Sequence, residues 1–331
     1  KLNLVVNDRT LSENMKPGAK VADLVTCCAF TVDEATKIVE EMDKIAIRGL
    51  TFRDGFDEST GGAIFMDNID SLSISNSVFL KNSAKNHGGA IQLGRVDHAL
   101  FNNVNFIENH ITAEQEGTSI NGGAISTHNM SSDFTDNIYQ IVFMNSLFED
   151  NHLHSTANNI YASGGAVVVS QNIHAVFNNT IFRSNYINAT GANSASEAAA
   201  VKFSNYTPTS WDSYPKSVFE GCLFEENYVQ DSGNQSATLL ISTAVKTLIR
   251  NSLIINNSSQ AAQSLFRADP GYDNNGNGAD FRFQNNTIYG NNSQEFMHAW
   301  GFGAKIEFVN NIIWQNNTQN NSSNNIAYAE Q

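Results

Sequence analysis

Gly61-Gly62-Ala63-Ile64, GGAI, decides the fold because the chain keeps returning to it. It recurs as Gly88 to Ile91, Gly122 to Ile125 and Gly164 to Val167, with a fainter copy at Ala198 to Val201. A second motif, Asn-x-apolar-aromatic-x-x-Asn, follows each copy: Asn76 to Asn82, Asn103 to Asn109, Asn145 to Asn151 and Asn179 to Asn185. Weaker versions run from Gly49, Gly221, Asn251, Asn286 and Asn311. From the Ala of GGA to the first Asn the gap is 13 residues after Ala63, Ala90 and Ala166, and 21 after Ala124 and Ala200. Weaker anchors at Thr36, Thr238 and His298 also give 13, and Leu265 gives 21. Stacked coils with one optional loop leave such a spacing behind.

Apolar residues alternate within each unit, as in Ile64 and Met66, then Leu72 and Ile74, which is a strand period. Three short strands in a unit of about 27 residues cannot bury an apolar face alone. Stacking such units solves the problem and predicts an all-β right-handed parallel β-helix of about nine coils. Phe52, Phe79, Phe106, Phe148, Phe182, Phe224, Ile254, Tyr289 and Trp314 are expected in one interior column at a strand spacing of about 4.8 Å. The Asn columns belong at turns, and the glycines permit a tight bend with positive φ.

Thr31 to Lys44 has helical propensity and a Thr cap. The repeat instead aligns Ile38, Met42, Ile45 and Ile47 with Phe65, Ile69, Leu72 and Ile74. The expectation is a cap or irregular first coil over residues 1–33 and the β-helix over 34–331, with a capping helix as the alternative.

The chain has 331 residues, 41% of them hydrophobic and 21 of them Phe, which is enough for a real core. A formal charge of −14 makes nucleic acid and anionic membranes poor partners. Without an initiator Met, a signal peptide or a long apolar run, it reads as a mature or trimmed chain with no membrane span. Cys27, Cys28 and Cys222 form no disulfide framework and have no metal-ligand spacing, so all three read as structural.

GGA[ILV] coupled to FxxN resembles the paired signature of the polymorphic outer-membrane-protein family of autotransporter adhesins. The matching residues are Gly61 to Ile64 with Phe79 to Asn82, and the corresponding pairs ending at Asn109, Asn151 and Asn185. The resemblance covers roughly residues 49–230. It implies a secreted or bacterial cell-surface β-helix and, more loosely, adhesion. No membrane β-barrel accompanies the repeats, and the motifs decay after residue 230.

Departures from the repeat are where function is sought. Loops 110–121, 152–163 and 186–197 follow three FxxN segments, and insertions lie around 128–138, 204–216 and 269–281. The two sets bracket the GGA strand, which predicts a groove floored by Phe65, Gln92, Ser126, Val168, Lys202, Leu240, Arg267 and Trp300. An ordinary solvated strand face is the alternative. Lys202 and Arg267 share a column two coils apart, suiting a uronate or sulfate group. With His298 and Asp269 they are the candidate catalytic set for a polysaccharide lyase, which needs a cation and a base. A hydrolase needs paired carboxylates, which the floor does not offer clearly. Tyr206, Trp211, Tyr214, Tyr272, Trp300 and His128 are candidate ligand contacts, the loop aromatics offering sugar-stacking faces or simply packing on their neighbours. Asp273, Asn275, Asn277 and Asp280 fit the start of a Ca2+ loop, or a plain Asn/Gly turn. The twelfth position is Gln284 where a bidentate acid belongs.

Three functions follow: a surface module binding an extended glycan or a partner surface without chemistry, a polysaccharide lyase or hydrolase, and a structural segment of a longer fibre.

Overall fold

The computed structural model describes residues 44–127, 139–205, 214–231, 237–259, 264–270, 280–300, 305–318 and 326–329. Among them every element is a strand, and the strand pairs are parallel. The fold is an all-β parallel β-helix.

Each repeat contributes to several ladders. The GGA ladder stacks nine strands, among them Ile64–Met66, Ile91–Leu93, Ile125–Thr127, Val167–Ser170 and Val201–Ser204. A 16-stranded sheet then folds round two sides of the core, its longest strands being Ile69–Leu80 and Val96–Ile107. The bend between its two legs falls on the first Asn of each motif. Asn76, Asn103, Asn145 and Asn179 all have φ between 48° and 56°, and Gly221 takes 63° at the same place. Asn and Gly tolerate this left-handed conformation best, so the first Asn column is a backbone requirement.

The second Asn of the motif is a hydrogen-bonding requirement. Asn82, Asn109, Asn151, Asn185, Asn227 and Asn257 are fully buried. From Asn109 onward the side-chain oxygen of each accepts from the backbone N–H and the side-chain NH2 of the Asn one coil earlier, as Asn109 does from Asn82 at 3.0 and 2.9 Å, while Asn82 accepts from the Gly55 N–H. The same NH2 also donates to a phenylalanine carbonyl, Asn109 to Phe79 at 2.9 Å. One side chain thus satisfies the backbone of a corner that no strand pairs. Beyond this corner lies a fourth ladder of nine short strands, from Phe56–Asp57 to Asn317–Thr318, which the three-strand expectation lacked.

The two glycines do different work. Gly88 has φ 58°, whereas at Gly89 a Cβ would lie 2.1 Å from the Gly123 carbonyl oxygen. The first glycine permits the bend and the second lets successive backbones close on one another.

Inside, Phe52, Phe79, Phe106, Phe148, Phe182 and Phe224 stack with centroids 4.7–5.0 Å apart. A second row, Phe101, Phe143, Phe177 and Phe219, meets the first edge to face. The expected column fails at its far end. Ile288 and Ile313 align with Ile254, while Tyr289 and Trp314 point outward, 39% and 63% exposed. The motif there begins one residue earlier, at Asn285 and Asn310, which carry the positive φ. A one-residue slip exchanges the two faces of a strand.

Ile45 and Ile47 pair with Leu72 and Ile74 as the repeat predicted. Residues 1–43, with Cys27, Cys28 and the capping question, lie outside the described residues. Cys222 is buried among the hydroxyl residues of its column, its thiol bonded to the Phe177 carbonyl and pushed up to about 12 by burial.

Candidate functional site

The loops 110–121, 152–163 and 186–197 are not groove walls. Each leaves the short ladder, turns, and returns as a strand of a further ladder: Ser119–Asn121, Tyr161–Ser163 and Ala195–Glu197. These arms carry their own core, built on Ile111, Leu153, Ile187, Ile120 and Ile160.

The returning strands put polar side chains over the GGA ladder. Lys202 is 3% exposed, and its ammonium contacts Glu197, the Tyr161 hydroxyl at 3.0 Å and the Ser163 hydroxyl at 3.1 Å. Gln92, Ser126 and Val168 in the same column are buried as well, so the expected open floor is closed from Gln92 to Lys202, while Phe65 at the column's start is outward as expected, 47% exposed. The Tyr161 ring stays part-exposed, but burial of its hydroxyl raises its pKa against the pull of Lys202.

The ladder confirms Lys202 and Arg267 in one column and corrects its other members. The order is Lys202, Ile241, Arg267, His298, and a bulge between Ala237 and Leu240 is what puts Ile241 in the place of Leu240. Leu240 faces the core and Trp300 pairs with Ala329 further along. Arg267 donates to Asp269 at 2.8 Å. Burial opposes the Arg267 charge, but Asp269, then Glu197 and Tyr161, outweigh it and raise the pKa. Burial likewise raises the Asp269 carboxyl, against the pull of Arg267. His298 lies 3.1 Å from Glu295. Lys202, Arg267 and Asp269 therefore already have counter-ions, and His298 already has a carboxylate neighbour.

Tyr214 is 1% exposed, so its ring cannot stack on a sugar. Asp280 is buried and accepts from both Arg282 Nε and Nη2, at 3.0 and 2.9 Å, so its carboxylate already has a cationic partner. Tyr206, Trp211, Tyr272, His128, Asp273, Asn275 and Asn277 lie outside the described residues. Among the described residues no three His, Cys, Asp or Glu side chains group closely enough to hold a metal ion.

The surface that sequence reading missed lies on the short ladder. Its outward column runs Phe56, Ser83, His110, His152, Tyr186, Tyr228. The last four rings stack almost parallel, with centroids 5.1, 4.4 and 4.9 Å apart. Both imidazoles set Nδ1 near a backbone carbonyl, His110 at Glu108 and His152 at Asp150. A carbonyl only accepts, so each ring donates from Nδ1. Burial pushes the His152 pKa down to about 4, so this ring is neutral near pH 7. Thr112, His154, Asn188 and Gln230 form a polar row beside the rings. The signal was available: each ring is the residue immediately after the second Asn of the motif.

The row ends at a cleft of about 600 Å³, where the arms begin. Phe56, Ser83 and Lys85, from coils without arms, line one side, while Glu114 and Thr118, from the first arm, line the other. Comparison of the chain with protein-family models, curated proteins and solved structures finds no match to any of them.

Proposed function

We propose that this chain is a secreted or cell-surface β-helix module that binds an extended glycan along the stacked-ring face and does no chemistry on it. The carrying observation is the row His110, His152, Tyr186, Tyr228 with its parallel polar row on a rigid ladder. Mutual stacking turns ring edges and polar atoms outward, and such rigid edges beside adaptable polar groups bind at low entropic cost. The repeat spaces them at about 4.8 Å, so an extended polymer meets the same pair of groups again and again. A lyase in the GGA column has less support, because Lys202 and Arg267 are neutralised by Glu197 and Asp269. Secretion rests on the resemblance of the repeats to autotransporter passengers.

The test is a glycan array, run beside incubation with acidic and neutral polysaccharides with and without calcium. The expected result is retention of a β-linked neutral glycan with no new reducing ends and no unsaturated uronate absorbance. Product formation, abolished in Lys202→Met, would replace the binding reading with the enzymatic one.

A further inference from the structure

The outward column of the short ladder holds rings at every rung from His110 to Tyr228 and again at Phe56, but Ser83 stands between. Ladder geometry puts one rung of about 4.8 Å on either side of Ser83, so Phe56 and His110 stand two rungs, about 9–10 Å, apart. Both rings line the 600 Å³ cleft, and Phe56 is 49% exposed. His110 stacks on His152 through one face and turns the other toward the Ser83 rung. Glu114 and Thr118 of the first arm line the same cleft as Ser83, which belongs to a coil without an arm.

We propose that the Ser83 rung is a subsite for one pyranose ring of a neutral, all-equatorial β-linked glycan, sandwiched between Phe56 and His110. This rests on the glycan-binding reading above and names the ring it would select. A rung spanned on both sides wants an occupant with two apolar faces. A β-gluco-configured pyranose has axial C–H groups on both faces, and its pucker makes it thicker than a flat aromatic ring. Its equatorial hydroxyls point outward in the ring plane, where Ser83, Thr112, Thr118, Glu114 and the Lys85–Glu58 pair supply donors and acceptors. An axial hydroxyl would press a polar group against one of the rings. The cleft holds Glu58 and Glu114 against Lys85, an acidic excess that disfavours a uronate.

The experiment is calorimetry and saturation-transfer NMR on the full chain with cellotriose and chitotriose, against β-1,4-mannotriose and galactotriose, which carry axial hydroxyls. An all-equatorial trisaccharide should bind at least tenfold more tightly than either control. Phe56→Ala and His110→Ala should each weaken binding tenfold or more. Ser83→Phe should complete the aromatic row, keep the circular dichroism and melting temperature of the parent, and abolish binding. Undiminished binding to Ser83→Phe, or to both truncations if that variant does not fold, would overturn the subsite, as would equal binding of the axial sugars. If neither trisaccharide binds but the array finds another glycan lost in Tyr186→Ala, the subsite falls and the binding reading stands. An array silent for the wild type overturns both.

Discussion

Asn151 and Asn103 carry the same letter for opposite reasons. Asn151 is fully buried, donates to the Phe106 carbonyl and to Asn185, and accepts from Asn109. Asn151→Ala would strand several buried polar groups, each worth about 1–3 kcal/mol, so denaturant unfolding should show a loss of at least about 3 kcal/mol. Asn103 is exposed with φ 56°, and Asn103→Gly should stay within about 0.5 kcal/mol of the parent, since glycine suits that conformation. Equal effects would contradict the division of labour between the two columns. Lys202 poses a different case, because its partner Glu197 is also buried. Lys202→Met should cost about 3–5 kcal/mol by leaving that carboxylate uncompensated. Glu197→Gln in the same chain should recover most of the loss, which a double-mutant cycle measures.

At the scale of the element, alternation was legible wherever a strand has one wet face, as in Lys44–Arg48, where exposed residues alternate with buried Ile45 and Ile47. It was misleading for Val201–Ser204, buried on both faces once the arm returns over it. No local pattern in 152–163 announces that its last residues form a strand over a neighbouring ladder, so the predicted groove was a consequence of reading the arms as loops. The slip at Tyr289 has a similar origin: NNTIYGNN offers two Asn at each end, and only the positive φ of Asn285 fixes which one turns. Ile288→Ala should therefore cost about 2–4 kcal/mol and Tyr289→Ala less than about 1, the reverse of what an inward tyrosine would give. The ring row makes a prediction about acid. His152 has a folded pKa of about 4, below its value in the unfolded chain, so the unfolded state takes the proton first as pH falls. Its neutral form is fully accommodated above about pH 6.5, and stability should fall by up to about 3 kcal/mol between there and pH 4. His152→Phe should flatten that part of the stability profile, with thermal unfolding from pH 4 to 7 as the measurement.

For the whole molecule, the repeat dictated the architecture and said little about the site, because the repeated residues are the ones that build the coil. What distinguishes one stretch of this solenoid from another is where arms begin, and which residue follows the buried Asn. Those two features meet at Phe56, Ser83 and His110, at the step between coils without arms and coils with them. In the GGA column, by contrast, Lys202 is a buried polar contact that ties the arms to the helix. The central claim is that ligands meet the ring row and not the GGA column. The most direct measurement is array binding of Tyr186→Ala beside the Lys202→Met, Glu197→Gln double variant, each with melting curves. The account predicts that the tyrosine variant, folded, loses the glycan while the double variant keeps it. Binding retained without Tyr186 and lost without the Lys202–Glu197 pair, in folded protein, would contradict it and return the site to the GGA ladder.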